Sequence, residues 1–370
     1  MRPGNWFTRP INFVRDAIAL DRARRIRARL SRDFYANLPV VFGAHRTHAA
    51  FDRTKRYREL MAVSDLDSQM STLLPALRRF RLLFLPGFLA DVILATDKKS
   101  LQKELRQHTH LAQYFDEQIS WLSSFNKPPA IERLQLASEA VPEINAEHIE
   151  RALRSDGRPV ILFAHSKGGI DAVESLLDRQ RGRVRRDLLD RVRLLIAVQS
   201  PFFGSPAAGY LLANRLLRSV SRYTLESLGG SQAALQSLTR RARCEYYNRN
   251  RHVLGRLTKS LPVLCFASEN PPGPNANNTF LMLRSSRDAM HDMGIPNDGL
   301  VPIESAILPG SYYVRTSGVD HAVPVMPSAF LDFDRKRFTC AMLSIGLELI
   351  GRSRPRLPEP PALDCLTMPE

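Results

Sequence analysis

Val160–Ala164 is an unbroken apolar run that passes directly into His165-Ser166-Lys167-Gly168-Gly169. Behind it, Ile170, Val173, Leu176 and Leu177 recur at spacings of three and four. A short continuous apolar run suits a strand buried on both faces, and the recurrence that follows marks an amphipathic helix. The same kind of run returns at Arg81–Leu85, which Pro86-Gly87 ends, and at Leu194–Val198 and Val263–Ala267. Weaker strands are read at Ile131–Leu136 and Tyr312–Arg315. Strands that need cover on both faces, alternating with helices, predict an α/β fold: a mostly parallel sheet flanked by helices.

Other segments are read more coarsely. Residues 11–32 read as a basic helix, Leu38–Phe42 as a strand and 100–116 as a helix. A further helix is expected to start at an Asn145 cap and to turn Ile149 and Leu153 inward. More than sixty residues separate the runs at 194–198 and 263–267, with helical patterns near 206–219, 231–244 and 246–257. That is too long for a simple crossover, so residues 203–260 read as a helical insertion. The resulting division is a basic N-terminal extension over 1–75, a main α/β domain over 76–350 holding the insertion, and a loose tail over 351–370.

Charge is concentrated at the start. Of the formal +16, +10 lies in residues 1–58, and the other 312 residues carry +6. A solvated surface helix and a peripheral contact with anionic lipid headgroups both fit that excess. Nucleic acid is not expected, because no fold-level motif or aromatic interleaving accompanies the arginines. Hydrophobic residues at 44% and charged residues at 24% exclude a mainly disordered or collagen-like chain. No apolar run exceeds six residues, so no bilayer-spanning segment is read. Asp16 and Asp21 break the arginine-rich start, which lacks the apolar stretch of a secretory signal. The expectation is a cytoplasmic or peripheral membrane protein, with export by another route left open. Cys244, Cys265, Cys340 and Cys365 form no CxxC pair. They fit no metal finger or disulfide framework, and one disulfide stays open.

The chemistry gathers at Ser166. A nucleophilic serine needs a strand to hold it, a sharp turn to lift its hydroxyl, and a helix N-terminus behind it. Small residues must flank such a turn, and Ala164 and Gly168 stand two before and two after Ser166. The serine also needs a base and an acid, which in this arrangement follow later strands in the order Ser, Asp, His. His321, in Gly318-Val319-Asp320-His321-Ala322, follows the last strand and is the base candidate; His291 stands before Asp298, in the wrong order. Asp298, in Asn297-Asp298-Gly299, is the acid candidate, with Asp320 and Asp292 as rivals. Two backbone donors should form an oxyanion hole. They are Lys167 N–H, directly after the serine, and Phe88 N–H, in the loop that Gly87 opens. The Lys167 ammonium has no evident role, and solvent exposure is its expected state.

Residues 163–169, Phe-Ala-His-Ser-Lys-Gly-Gly, resemble the nucleophile elbow of α/β-hydrolases. Ser200-Pro201-Phe202-Phe203-Gly204-Ser205-Pro206 is similar to the Thr-Pro-x-x-Gly-Ser segment of bacterial triacylglycerol lipases. Asn297–Pro302 resembles their acid loop, and the 23-residue step from Asp298 to His321 fits their layout. The resemblance spans about residues 80–330. It departs at Pro86-Gly87, where those lipases show His-Gly. It departs again at Ala322-Val323-Pro324, where some of them place a calcium-binding Asp. The resemblance implies an α/β-hydrolase fold and a serine hydrolase of carboxylic esters, with lipids as the substrate class and no metal or organic cofactor. It also implies a lid, for which Tyr210, Leu211, Leu212, Leu216, Leu217 and Val220 offer an apolar stripe. An acyltransferase using the same acyl-enzyme, or an inactive hydrolase fold that binds membranes or partners, are the alternatives.

Overall fold

Six of the seven runs read as strands form one sheet in a computed structural model, which describes residues 28–87, 114–137, 140–213, 232–273, 281–327, 333–353, 355 and 357–365. They are β1 (Arg81–Leu85), β2 (Ala130–Arg133), β3 (Val160–His165), β4 (Val192–Val198), β5 (Val263–Glu269) and β6 (Tyr312–Ser317). The order is β2-β1-β3-β4-β5-β6, and every pair is parallel. β1 and β3 are buried along their whole length, as their continuous apolar sequences require. The chain passes from β1 to β2 on one side and returns to β3 on the other. In open α/β sheets the crevice beyond such a reversal, at the carboxyl ends of the strands, is where ligands bind.

Side-chain alternation along β4 shows how both faces are covered. Leu194 and Ile196 meet Gly346 of the helix Arg335–Leu349, so closely that a Cβ at 346 would sit 2.3 Å from Leu194. Ala197, of opposite parity, faces Gly169 in the helix Lys167–Ser175, α6 below. Labelled in chain order, the helices used here are α1 (residues 28–41), α2 (Thr54–Met61), α3 (Leu66–Leu77), α4 (Asp116–Ser123), α5 (Pro142–Arg154), α6 (Lys167–Ser175), α7 (Pro206–Ala213), α8 (Arg240–Ser260), α9 (Leu281–Asp292) and α10 (Arg335–Leu349).

Several readings change. Leu38–Phe42 is not a strand. It closes α1, because Phe34, Leu38 and Phe42 repeat every four residues and are all buried. The stretch from Arg240 to Ser260 is one helix, capped by the Thr239 side chain, rather than two. Buried Arg243, Cys244, Tyr247, Asn250, Leu254 and Leu257 keep one face inward throughout. Asn145 does not cap α5. Pro142 occupies the first turn, a position that dispenses with its missing N–H. The Asn145 amide instead donates to Ala137 O and Asp171 Oδ2.

The ends are also tied to the body. Residues 51–53 pair with the β6 edge through Arg53 N–H to Tyr313 O and Tyr313 N–H to Phe51 O. Tyr57 packs on Phe266 and Phe338, so the part of the extension from residue 28 onward is built into the domain. The tail is not loose where it is described: Leu363 is buried, its backbone pairs with the Asn248 side chain, and Cys365 is disulfide-bonded to Cys244. Residues 1–27, which hold most of the expected basic helix and membrane contact, lie outside the described residues. So do the side chains of the 210–220 stripe and nearly all of the helix expected over 100–116. Among the described residues no helix is long and apolar enough to cross a membrane.

Candidate active site

Ser166 stands at the carboxyl end of β3 with φ +53° and ψ −128°, a left-handed conformation that a serine adopts only under constraint. The constraint is visible. Its N–H donates to Val198 O on β4, and α6 starts at the next residue. Three glycines make room for the turn. A Cβ on Gly168 would lie 2.6 Å from the carbonyl oxygens of Leu85 and Pro86. One on Gly169 would lie 2.1 Å from Ser200 Oγ, and one on Gly87 would lie 2.6 Å from Ser166 Cβ. Gly87 is therefore needed to let the β1 loop pass the serine.

The structure brings Ser166, His321 and Asp298 together. His321 Nε2 is 2.9 Å from Ser166 Oγ, and His321 Nδ1 is 2.9 Å from Asp298 Oδ2. All three are buried, Ser166 being 8% exposed. Asp298 is held from the other side, where Oδ1 accepts the N–H groups of Leu300 and Val301 at 2.9 and 2.7 Å. Its backbone carbonyl accepts His321 N–H at 2.8 Å, so the two loops are joined by main chain as well as side chain. Gly299, at φ +108°, makes the turn that aims the carboxylate. Asn297 Oδ1 accepts Gly299 N–H and fixes that turn.

The rivals are elsewhere. Asp320 is buried, but its Oδ1 accepts the N–H groups of Ala322 and Val323 and so caps its own turn. Asp292 and His291 are exposed at the end of α9.

Lys167 is the first residue of α6, where an N–H has no intrahelical acceptor. Its side chain is not in solvent. It is 1% exposed, and Nζ lies 2.8 and 3.0 Å from the two Asp171 oxygens. Asp171 also accepts from Asn145 on α5. Burial pushes the Asp171 carboxyl up to about 6, against the pull of Lys167. The second expected oxyanion donor, Phe88, lies outside the described residues. Gly87 N–H, one residue earlier, is taken by the Tyr114 hydroxyl at 2.9 Å.

Three polar residues around the site were not singled out from sequence. His165 ends β3, Gln199 directly follows β4, and Tyr114 precedes α4. His165 Nε2 is 2.8 Å from His321 O, and its Nδ1 is hydrogen-bonded to the Tyr114 hydroxyl. Gln199 donates to Asp320 O at 2.8 Å and to Ser268 Oγ at 2.6 Å. Gln199 has φ +50°, the one available signal being its place directly after a buried strand. Burial, then the neighbouring His321, hold the His165 imidazole well below its ordinary pKa. Among the described residues no cluster of three or more His, Cys, Asp or Glu could hold a metal ion.

No family model and no curated protein matches the sequence. Solved structures do. That of a metagenomic carboxyl esterase superposes with a TM-score of 0.57 at 19% identity, over 73% of this chain and 76% of that one. The chain has the α/β-hydrolase fold. The mature lipase of Bacillus licheniformis matches at 20% identity and TM-score 0.47, over 66% of this chain and 85% of that one. The lipase of Staphylococcus hyicus matches at 11% identity and TM-score 0.48, over 73% and 96%. In an α/β-hydrolase fold, a strained serine between a buried strand and a helix is where a nucleophile is sought.

Proposed function

We propose that the protein is a serine hydrolase that cleaves carboxylic esters through an acyl-enzyme. The observation that carries this reading is the unbroken chain of 2.9 Å contacts from Ser166 Oγ to His321 and from His321 to Asp298. Ser166 Oγ attacks the ester carbonyl as His321 Nε2 removes its proton. Asp298, already fixed by two backbone donors, holds the imidazole by Nδ1 and stabilises it once it is charged. The tetrahedral oxyanion takes hydrogen bonds from the Lys167 and Phe88 N–H groups, each worth about 3 kcal/mol at the transition state. His321 then protonates the departing alcohol. Water, deprotonated by the same imidazole, attacks the acyl group and releases the acid.

Lipid esters are the proposed substrate class. Support comes from the lipase-like segments at 200–206 and 297–302 and from the fold shared with a carboxyl esterase. Hydrolysis of p-nitrophenyl esters from acetate to palmitate tests both levels. Turnover that is lost in Ser166→Ala supports the ester-hydrolase reading, and its rise with chain length supports the lipid reading. No turnover of any ester by folded protein contradicts both.

A further inference from the structure

His165 is a buried imidazole that the mechanism above does not use. Its partners determine where its proton sits. Nε2 lies 2.8 Å from His321 O and 3.3 Å from Gln199 Oε1. A backbone carbonyl only accepts, so Nε2 carries the hydrogen. In the neutral ring Nδ1 is then an acceptor, and the Tyr114 hydroxyl is its donor. Having given its only hydrogen to Nδ1, the Tyr114 oxygen accepts Gly87 N–H at 2.9 Å. The chain therefore has one direction: Gly87 N–H to Tyr114, Tyr114 O–H to His165, His165 N–H to His321 O.

We propose that Tyr114 and His165 are positioning residues that set the loop after β1 and the His321 loop relative to each other. The inference rests on the ester-hydrolase reading. At one end the link fixes Gly87, whose absent side chain leaves room for Ser166. At the other it holds the main chain of the base itself. Gln199 holds the adjoining Asp320 carbonyl, so two consecutive carbonyls of that loop are pinned by side chains from neighbouring strand ends. The His165 and His321 rings are 4.8 Å apart between centroids. A His165 kept neutral by its buried partners places no like charge beside His321 when that ring is protonated in turnover.

The test is Tyr114→Phe, which removes one hydroxyl and keeps the ring. Tyr247→Phe is the control, since it also deletes a half-buried hydroxyl bond, to Pro361 O, far from this link in the chain. With p-nitrophenyl butyrate, Tyr114→Phe should lower kcat about tenfold, the rate equivalent of one hydrogen bond, with KM within about twofold of wild type. The thermal midpoint should move no more than that of Tyr247→Phe, whose kcat should be unchanged. An unchanged kcat in Tyr114→Phe overturns the proposal, as does a loss in KM alone or an equal loss of kcat in the control. Histidine-selective nitrogen NMR of the wild-type protein reads the link without activity. A neutral His165 protonated at Nε2 supports it, and any other state of that ring overturns it. Wild-type protein that turns over no ester would instead overturn the ester-hydrolase reading, and the NMR result would still report on the link.

Discussion

His321 Nε2 lies 2.9 Å from Ser166 Oγ, although 155 residues separate the two in the chain. The contact exists because β3 and β6 end on the same side of the parallel sheet, with two strands between them. The imidazole is oriented from behind, where Asp298 Oδ2 faces Nδ1. Every part of the proposed chemistry depends on this alignment.

Asp298→Asn should test the orienting role. The amide keeps the shape but can present its N–H to Nδ1, which selects the wrong tautomer of His321 and leaves Nε2 without a lone pair for the serine. The turnover number kcat should fall by about 10⁴-fold with the fold intact. Steady-state kinetics beside circular dichroism would check it, and a loss under about tenfold would contradict it.

Gly87→Ala addresses the turn. The added methyl would stand 2.6 Å from Ser166 Cβ and 2.8 Å from the Tyr114 hydroxyl. Something must shift, and the serine, the loop or the tyrosine has to give. A displacement of about 1 Å at a reacting group costs about a hundredfold in rate. Kinetics on the purified variant should show that loss in kcat, whereas a wild-type kcat would mean the close approach is not required.

How far was this arrangement readable in advance? Four of the six strands were, because strands buried on both faces write themselves as continuous apolar runs, while the less buried β2 and β6 gave weaker patterns. The meeting of Ser166, Asp298 and His321 was also legible, since the three stand on recognisable loops in the order Ser, Asp, His. What escaped depends on pairing between distant elements. Lys167 was expected in solvent because nothing local shows that Asn145, from another helix, would close a pocket around Asp171. Tyr114 has no motif around it, and its partner lies 51 residues on. The tail read as loose because a disulfide spanning 121 residues cannot be inferred from four scattered cysteines.

The Lys167–Asp171 pair yields a stability prediction. Both side chains are almost wholly buried, at 1% and 2% exposure. Removing one charge strands the other in low dielectric, so Lys167→Met alone should cost about 3–5 kcal/mol. The double variant Lys167→Met with Asp171→Leu should recover most of it, because neither charge then needs solvation. Urea unfolding of the singles and the double gives the coupling directly. Additive losses would contradict a true buried pair.

Asp171 also predicts a pH effect of definite sign. Its carboxyl titrates at about 6 in the folded protein, above the ordinary 3.8. Between those values the folded state holds a proton that the unfolded state has lost, so raising the pH opposes folding. The contribution is fully present below about 3.8 and gone above about 6. The stability of wild type relative to Asp171→Asn should therefore fall by about 2–3 kcal/mol from pH 4 to pH 7. A difference that stays flat or rises over that window would contradict the burial argument.

The most direct test of the central claim is covalent. A fluorophosphonate reacts only with a serine made nucleophilic by its surroundings, and peptide mass spectrometry locates the adduct. One adduct should form, on Ser166, with labelling lost in Ser166→Ala and strongly slowed in His321→Asn. Folded wild-type protein that takes up no probe, or carries it on a different residue, would contradict it.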